Sequence, residues 1–313
     1  MSSSANVVFM GSPEFAVPSL RALAAAGHRV MLAVTQPDKR AGRGGRMQEP
    51  PVKQAAGELG IEVFQPETMR DTAVQERLRA ADADAFVVAA YGKILPQAVL
   101  DIPRRGCLNV HASLLPKWRG PSPIVASILA GDAKTGVSIM ELVRKMDAGP
   151  VISRVEVAIG PDDTAASLEP RLAETGAEEL VRVLLGWLEG ELKPVPQAEE
   201  AATYCHLIAK SDGWLKAGMG IDEAERAVRA YDPWPGAFVM YGEQRLSIWR
   251  ARKIDSPLAR PGDLRLVDGL PAVALHDGWL GLLEVQRPGG KRLEAKQFLA
   301  GERGKLLAEA VLA

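Results

Sequence analysis

The chain has 313 residues, 47% of them hydrophobic, and a formal net charge of −1. This length predicts two domains, and the near-neutral charge excludes a protein that holds nucleic acid by bulk charge alone, while leaving room for a local basic patch. The two cysteines, Cys107 and Cys205, lie far apart without a CxxC partner, so they make neither a disulfide framework nor a zinc site by themselves. No apolar stretch is long enough to span a bilayer, and the start, Met1-Ser2-Ser3-Ser4, lacks a cationic n-region. The expectation is a cytoplasmic protein with no membrane association.

Residues 6–10 (NVVFM) read as a buried strand and 11–13 as a tight turn. Apolar residues then recur at helical spacing over 14–26, with Gly27 as a stop. A strand at 30–34 leads into a polar, Gly-rich, basic loop at 36–51, followed by a helix (52–59), a strand (61–64), a helix (73–81) and a strand (85–90). Such alternation predicts an α/β layer fold with a mainly parallel sheet. The first turn carries no GxGxxG, and no Walker A motif occurs elsewhere, so neither a dinucleotide enzyme nor an NTPase gains support.

A strand at 106–111, a Pro-rich loop to 123 and a helix at 124–129 come next. Residues 136–142 and 150–159 read as strands paired around a turn, 165–192 as a helix, and the Pro- and Glu-rich stretch 193–202 as a linker. After a helix at 221–230 the texture changes to short apolar segments (237–241, 245–254, 262–267, 272–275, 281–285) separated by Gly, Pro and Asp, the pattern of a small barrel or sandwich. The expected division is a first domain over 1–189, a linker over 190–208 and a second domain over 209–313.

The segment with the most chemistry is Asn109-Val110-His111-Ala112-Ser113-Leu114-Leu115-Pro116, at the carboxyl end of a predicted strand, where open α/β sheets bind ligands. Asn109 and His111 are two apart and so share a strand face. An amide donor beside an imidazole suits a developing oxyanion. In isolation N-x-H is most simply a polar strand end, but Pro116, Gly120, Pro121 and Pro123 make a stiff turn that a plain connection does not need.

The string NVHASLLPKWRGPSP resembles the N-x-H-x-S-L-L-P motif of the 10-formyltetrahydrofolate-dependent formyltransferases, and Met146-Asp147-Ala148-Gly149-Pro150-Val151 matches that family's D-x-G-P-[IV] turn. The resemblance implies a Rossmann-like, mainly parallel sheet (the formyltransferase fold) followed by a smaller OB-like β-barrel. It implies Asn109, His111 and Asp147 as the catalytic set, with no metal. It also implies a folate slot near Tyr91, Gly92, Ile94 and Leu95, near Ser113, Leu114, Leu115 and Pro116, and near Val137. The implied chemistry is attack of a neutral amine on the formyl carbon of 10-formyltetrahydrofolate. Asn109 and a protonated His111 would stabilise the oxyanion, and Asp147 would favour the charged imidazole.

Residues 36–46 (QPDKRAGRGGR) place Lys39, Arg40, Arg43 and Arg46 in a Gly-punctuated stretch able to follow phosphates. It resembles the insertion with which one branch of the family approaches the acceptor stem of initiator methionyl-tRNA. Residues 202–206 (ATYCH) and 229–237 (RAYDPWPGA) resemble the linker and second domain of that branch. Trp234, between two prolines, reads as a packing anchor. Leu207 stands where the family usually has a lysine, leaving Lys210 as the linker's RNA contact. The expected partners are initiator methionyl-tRNA and folate, the expected state a monomer. The rivals are an amino-sugar formyltransferase, a formyltetrahydrofolate hydrolase in which water replaces the amine, and a tRNA- or folate-binding module without turnover.

Overall fold

Continuous apolar runs alternating with amphipathic helices leave a strand little choice but burial on both faces, and the computed structural model has that arrangement. It describes residues 4–41, 46–216, 218–302 and 310–311. Two compact units result. The first takes the chain up to Pro123, Lys134–Ala158 and Glu169–Cys205, and the second takes Ile124–Ala133, Ile159–Leu168 and the chain from His206 on.

In chain order the elements begin with β1 (Asn6–Gly11), α1 (Val17–Ala25), β2 (Arg29–Val34), β3 (Lys39–Ala41), β4 (Arg46–Gln48), α2 (Pro51–Glu58), β5 (Val63–Phe64) and α3 (Thr72–Ala80). They continue with β6 (Ala85–Ala89), α4 (Gln97–Leu100), β7 (Cys107–His111), α5 (Pro123–Ala130), β8 (Lys134–Glu141), β9 (Val151–Ala158) and α6 (Ala165–Glu189). Seven strands form one sheet in the order β5-β2-β1-β6-β7-β8-β9. The pairs from β5 to β7 are parallel, and β8 and β9 add antiparallel at one edge. Successive residues of β1 serve opposite faces. Val8 and Met10 pack in a cluster with Leu78, Phe86, Val99 and Leu100, and Val7 and Phe9 are equally buried, as a doubly covered sheet requires. The chain leaves β1 for β2 on one side and later returns to β6 on the other, so the direction of winding reverses between β1 and β6, the place where open sheets bind ligands.

The stretch expected as a loop at 36–51 instead contains a hairpin, with Lys39 paired to Gln48 and Arg40 to Met47. Asp38 fixes its base. Its carboxylate accepts from Gln65 Nε2 at 2.7 Å and Lys53 Nζ at 2.7 Å, which holds the carboxyl below its usual range.

The second unit continues with α7 (Ile221–Ala230), β10 (Ala237–Tyr241), β11 (Gln244–Ile254), β12 (Leu264–Val267), β13 (Leu270–Ala274), β14 (Trp279–Gln286), β15 (Arg292–Glu294), α8 (Ala295–Gly301) and β16 (Ala310–Val311). Its sheet is antiparallel in the order β12-β13-β14-β11-β10-β16, with β15 on β14. Asp268 and Gly269, at φ 50° and 72°, make the two-residue turn between β12 and β13, the Asp-Gly pairing that a right-twisted hairpin favours. Ala224, Ala227 and Val228 of α7 pack with Val239, Ile248, Leu280 and Leu282, and Val125 and Leu129 of α5 close on the same core.

Candidate active site

β7 carries the first two site residues into the sheet. Asn109 sits opposite Val88 of β6 and Met140 of β8, and His111 opposite Ser138. Both are nearly buried, at 9% and 6% exposure. The Asn109 carboxamide has no hydrogen-bond partner among the described residues. It is not among the fully buried unpartnered polar groups, so its amide keeps contact with solvent and stays open to a ligand.

The chain after β7 is held from below by β8 and β9. Ser138 Oγ donates to the Ser113 carbonyl (2.7 Å) and accepts the Leu115 N–H (3.0 Å). Arg154 Nε donates to the Leu115 carbonyl at 2.6 Å, and Ser113 Oγ to the Lys117 carbonyl at 2.6 Å. The Leu115–Pro116 peptide is cis. This loop returns the Trp118 carbonyl to within 3.1 Å of His111 Nε2. A carbonyl only accepts, so Nε2 carries the hydrogen.

Asp147 lies in the turn between β8 and β9, with φ 46°. Its Oδ2 accepts the Gly120 N–H at 2.8 Å and lies 4.0 Å from His111 Nδ1. The imidazole thus has a hydrogen-bond acceptor at Nε2, and a carboxylate faces Nδ1 at ion-pair distance, beyond hydrogen-bond reach. Gly149 makes the turn possible, because a Cβ there would stand 1.8 Å from the Glu141 carbonyl oxygen.

The residues expected to form a folate slot take different places. Ser113 and Leu115 are buried, Leu114 and Pro116 half-buried, all on the loop that follows His111. Val137 is fully buried under α6, where Gly176 approaches it. Tyr91 turns its ring into the core, its hydroxyl 3.4 Å from Met69 Sδ, and burial pushes the phenol up to about 12. Its carbonyl accepts Gln36 Nε2 at 2.9 Å. Gly92 adopts φ 77°, Leu95 is half-buried and Ile94 is 88% exposed. Sequence placement alone does not separate these cases, since burial depends on what packs above each residue.

Of the basic residues, Lys39 and Arg40 are exposed on β3. Arg46 opens β4, and Arg43 lies outside the described residues. Lys210 is exposed at the start of a short helical turn in the second unit. Trp234, expected as a packing anchor, is instead 51% exposed. The bend that carries it has cis peptides before Pro233 and Pro235. A cavity of about 390 Å³ opens beside the carboxyl ends of β1 and β6, where the winding reverses. Its lining includes Ser12, Pro13, Gln36, Lys39, Glu49 and Ala90. Asn109, His111 and Asp147 do not line it.

Residues not singled out by the sequence complete the site. Arg119, within the matched motif, is fully buried and bonded to Gln197, Glu199 and Tyr204. The expected linker is not a free tether. Val195 pairs with Val151, the Arg119 N–H donates to the Thr203 carbonyl (2.9 Å), and Trp118 N–H donates to Thr203 Oγ1 (2.9 Å). Only the Arg in KWRG was available as a signal; Gln197 had none. Cys205 accepts the Ser122 N–H at 3.3 Å, and burial raises its thiol pKa, which leaves it protonated rather than nucleophilic.

A family profile described as "Formyl transferase" matches residues 5–184, and one described as "Formyl transferase, C-terminal domain" matches 207–303. The chain is 47% identical over 297 residues to the methionyl-tRNA formyltransferase of Methylobacillus flagellatus, covering 95% of this chain and 96% of that one. It is also 47% identical over 295 residues to that of Methylococcus capsulatus, covering 94% and 96%. Among solved structures it is similar to HypX from Aquifex aeolicus in complex with tetrahydrofolic acid. The TM-score is 0.65 at 17% identity, over 99% of this chain and 51% of HypX, a likeness of fold in which the chain spans about half of the larger protein. By both its halves and by these relatives, the chain belongs to the formyl transferase family.

Proposed function

We propose that this protein transfers the formyl group of 10-formyltetrahydrofolate to the free amino group of initiator methionyl-tRNA, giving N-formylmethionyl-tRNA for translation initiation. The observation that carries the chemistry is the His111 ring, held by the Trp118 carbonyl and facing the Asp147 carboxylate, with the solvent-accessible Asn109 amide on the same strand face. That amide is a donor waiting for an acceptor, which fits the carbonyl oxygen of a formyl group. The relatives that match over the whole length, and their naming, support methionyl-tRNA as the acceptor over an amino sugar or water.

10-formyltetrahydrofolate supplies an activated one-carbon unit at the formyl oxidation level. The amine nitrogen bonds to the formyl carbon, negative charge develops on the formyl oxygen, and the carbon–nitrogen bond to the folate breaks as the folate nitrogen gains a proton and the attacking amine loses one. Asn109 donates to the developing oxyanion, His111 stabilises the same charge, and Asp147 keeps the imidazolium oriented and accepts or returns the proton through it. The loop 113–116 with Leu95 forms the apolar side of the donor's site, while Val137, fully buried under α6, supports the strand behind it. Lys39, Arg40, Arg43, Arg46 and Lys210 meet RNA phosphates. Lys39 belongs to both the hairpin and the cavity where the winding reverses, so that cavity continues the RNA path into the catalytic unit. In this reading residues 1–189 carry catalysis, 209–313 carry tRNA binding, and the protein works as a cytoplasmic monomer, since one chain supplies the whole catalytic set.

The deciding assay offers initiator methionyl-tRNA, free methionine, an amino-sugar nucleotide and water to the enzyme with 10-formyltetrahydrofolate. Efficient formylation of the aminoacyl-tRNA alone is expected. A preference for another acceptor would leave the chemistry standing and overturn the assignment of the hairpin and second unit.

A further inference from the structure

The two loops that hold the His111–Asp147 pair meet at one side chain. Gln197 Oε1 accepts from Arg119 Nε (3.0 Å) and Nη2 (2.9 Å), and Gln197 Nε2 donates to the carbonyls of Asp147 (2.8 Å) and Gly149 (2.7 Å). On one side, Arg119 is flanked by Trp118, whose carbonyl accepts from His111, and by Gly120, whose N–H donates to Asp147. On the other, Asp147 holds φ 46°, a left-handed conformation that aspartate tolerates better than most side-chain-bearing residues and that bonds to the turn help to hold. The Gln197 amide supplies such bonds, with both donors spent on the turn and its oxygen spent on a fully buried guanidinium.

We infer that Gln197 is a positioning residue for formyl transfer, setting the separation of the Asp147 carboxylate from His111 by clamping the 147–149 turn to the Trp118–Gly120 loop through Arg119. The inference rests on the catalytic reading of Asn109, His111 and Asp147. A residue serving stability alone would hold residues 193–205 in place without caring whether Asp147 is a carboxylate.

Gln197→Glu separates the two roles. Its carboxylate still accepts from Arg119 but cannot donate to the Asp147 and Gly149 carbonyls. The expected result is a folded protein with KM for both substrates near the parent's and kcat lowered on the order of tenfold to hundredfold, the scale of an ångström-level misplacement. The pH dependence of kcat is expected to move with it. Single-turnover rates of Asp147→Asn and of the double variant Gln197→Glu/Asp147→Asn complete the cycle, and the double variant is expected to be no slower than Asp147→Asn alone, because nothing remains to be positioned. Parental kcat and pH profile in Gln197→Glu, or losses that multiply in the double variant, would overturn the inference. If Asp147→Asn itself turns over at the parental rate, the catalytic reading falls and takes the inference with it; if Asp147→Asn is crippled and Gln197→Glu is silent, only the positioning role falls.

Discussion

Asn109 and His111 illustrate how much two residues on one strand face can settle. Their spacing was enough to put them on a common face, and the structure adds that the first has no hydrogen-bond partner among the described residues while the second bonds the Trp118 carbonyl and faces the Asp147 carboxylate at 4.0 Å. Replacing Asn109 by Ala is expected to cost about 2.7–4 kcal/mol of transition-state stabilisation, read as a fall in kcat with a smaller change in KM. A drop of only a few-fold would make Asn109 a packing residue. His28 gives a separate, pH-dependent expectation. It is buried, its Nδ1 accepts the Ala5 N–H at 3.3 Å, and burial lowers its pKa. The folded state thus holds the neutral ring while the unfolded chain takes up a proton near pH 6.5, so this contribution is intact above that pH and is lost as pH falls through it. The thermal midpoint should drop between pH 7.5 and 5, and the drop should shrink in His28→Gln.

At the scale of elements, the turn between β8 and β9 and the β3–β4 hairpin do different work. In Gly149→Ala the new methyl would collide with the Glu141 carbonyl, which neither strand can yield without breaking the pairing beside Asp147. The expected outcome is a lower thermal midpoint together with lost activity, and a variant with parental values of both would refute the packing argument. For the hairpin, Asp38 serves as an anchor and not as an RNA contact, since Gln65 and Lys53 occupy its oxygens. Asp38→Ala is expected to raise the KM for tRNA while leaving the KM for the folate donor unchanged. Arg40→Ala should act in the same direction, with an effect that grows weaker as salt is raised. An effect on folate KM alone would separate the hairpin from tRNA.

Over the whole molecule, sequence order and spatial grouping diverge. Residues 124–133 and 159–168 group with the chain from His206 on, although they lie between stretches of the first unit. A chain cut after Cys205 would leave Val125 and Leu129 without the core they pack against. Such a fragment should bind a hydrophobic dye and aggregate more than the full chain, and equal behaviour of the two would argue that α5 repacks at no cost.

Local pattern determined the alternation of strands and helices in the first unit, the short-strand texture after residue 230 and the choice of Asn109, His111 and Asp147 as the proposed catalytic trio, because periodicity, turn residues and a dense motif are all properties of contiguous sequence. Tertiary structure alone decided that Tyr91 faces the core while Ile94 lies at the surface, that residues 39–41 pair with 46–48, and that Trp234 is half exposed. It also decided that Gln197, in a stretch that reads as a tether, grips the turn of Asp147 from 50 residues away. These are hydrogen bonds and burials between distant segments, and no spacing along the chain encodes which partner a folded surface will bring to them.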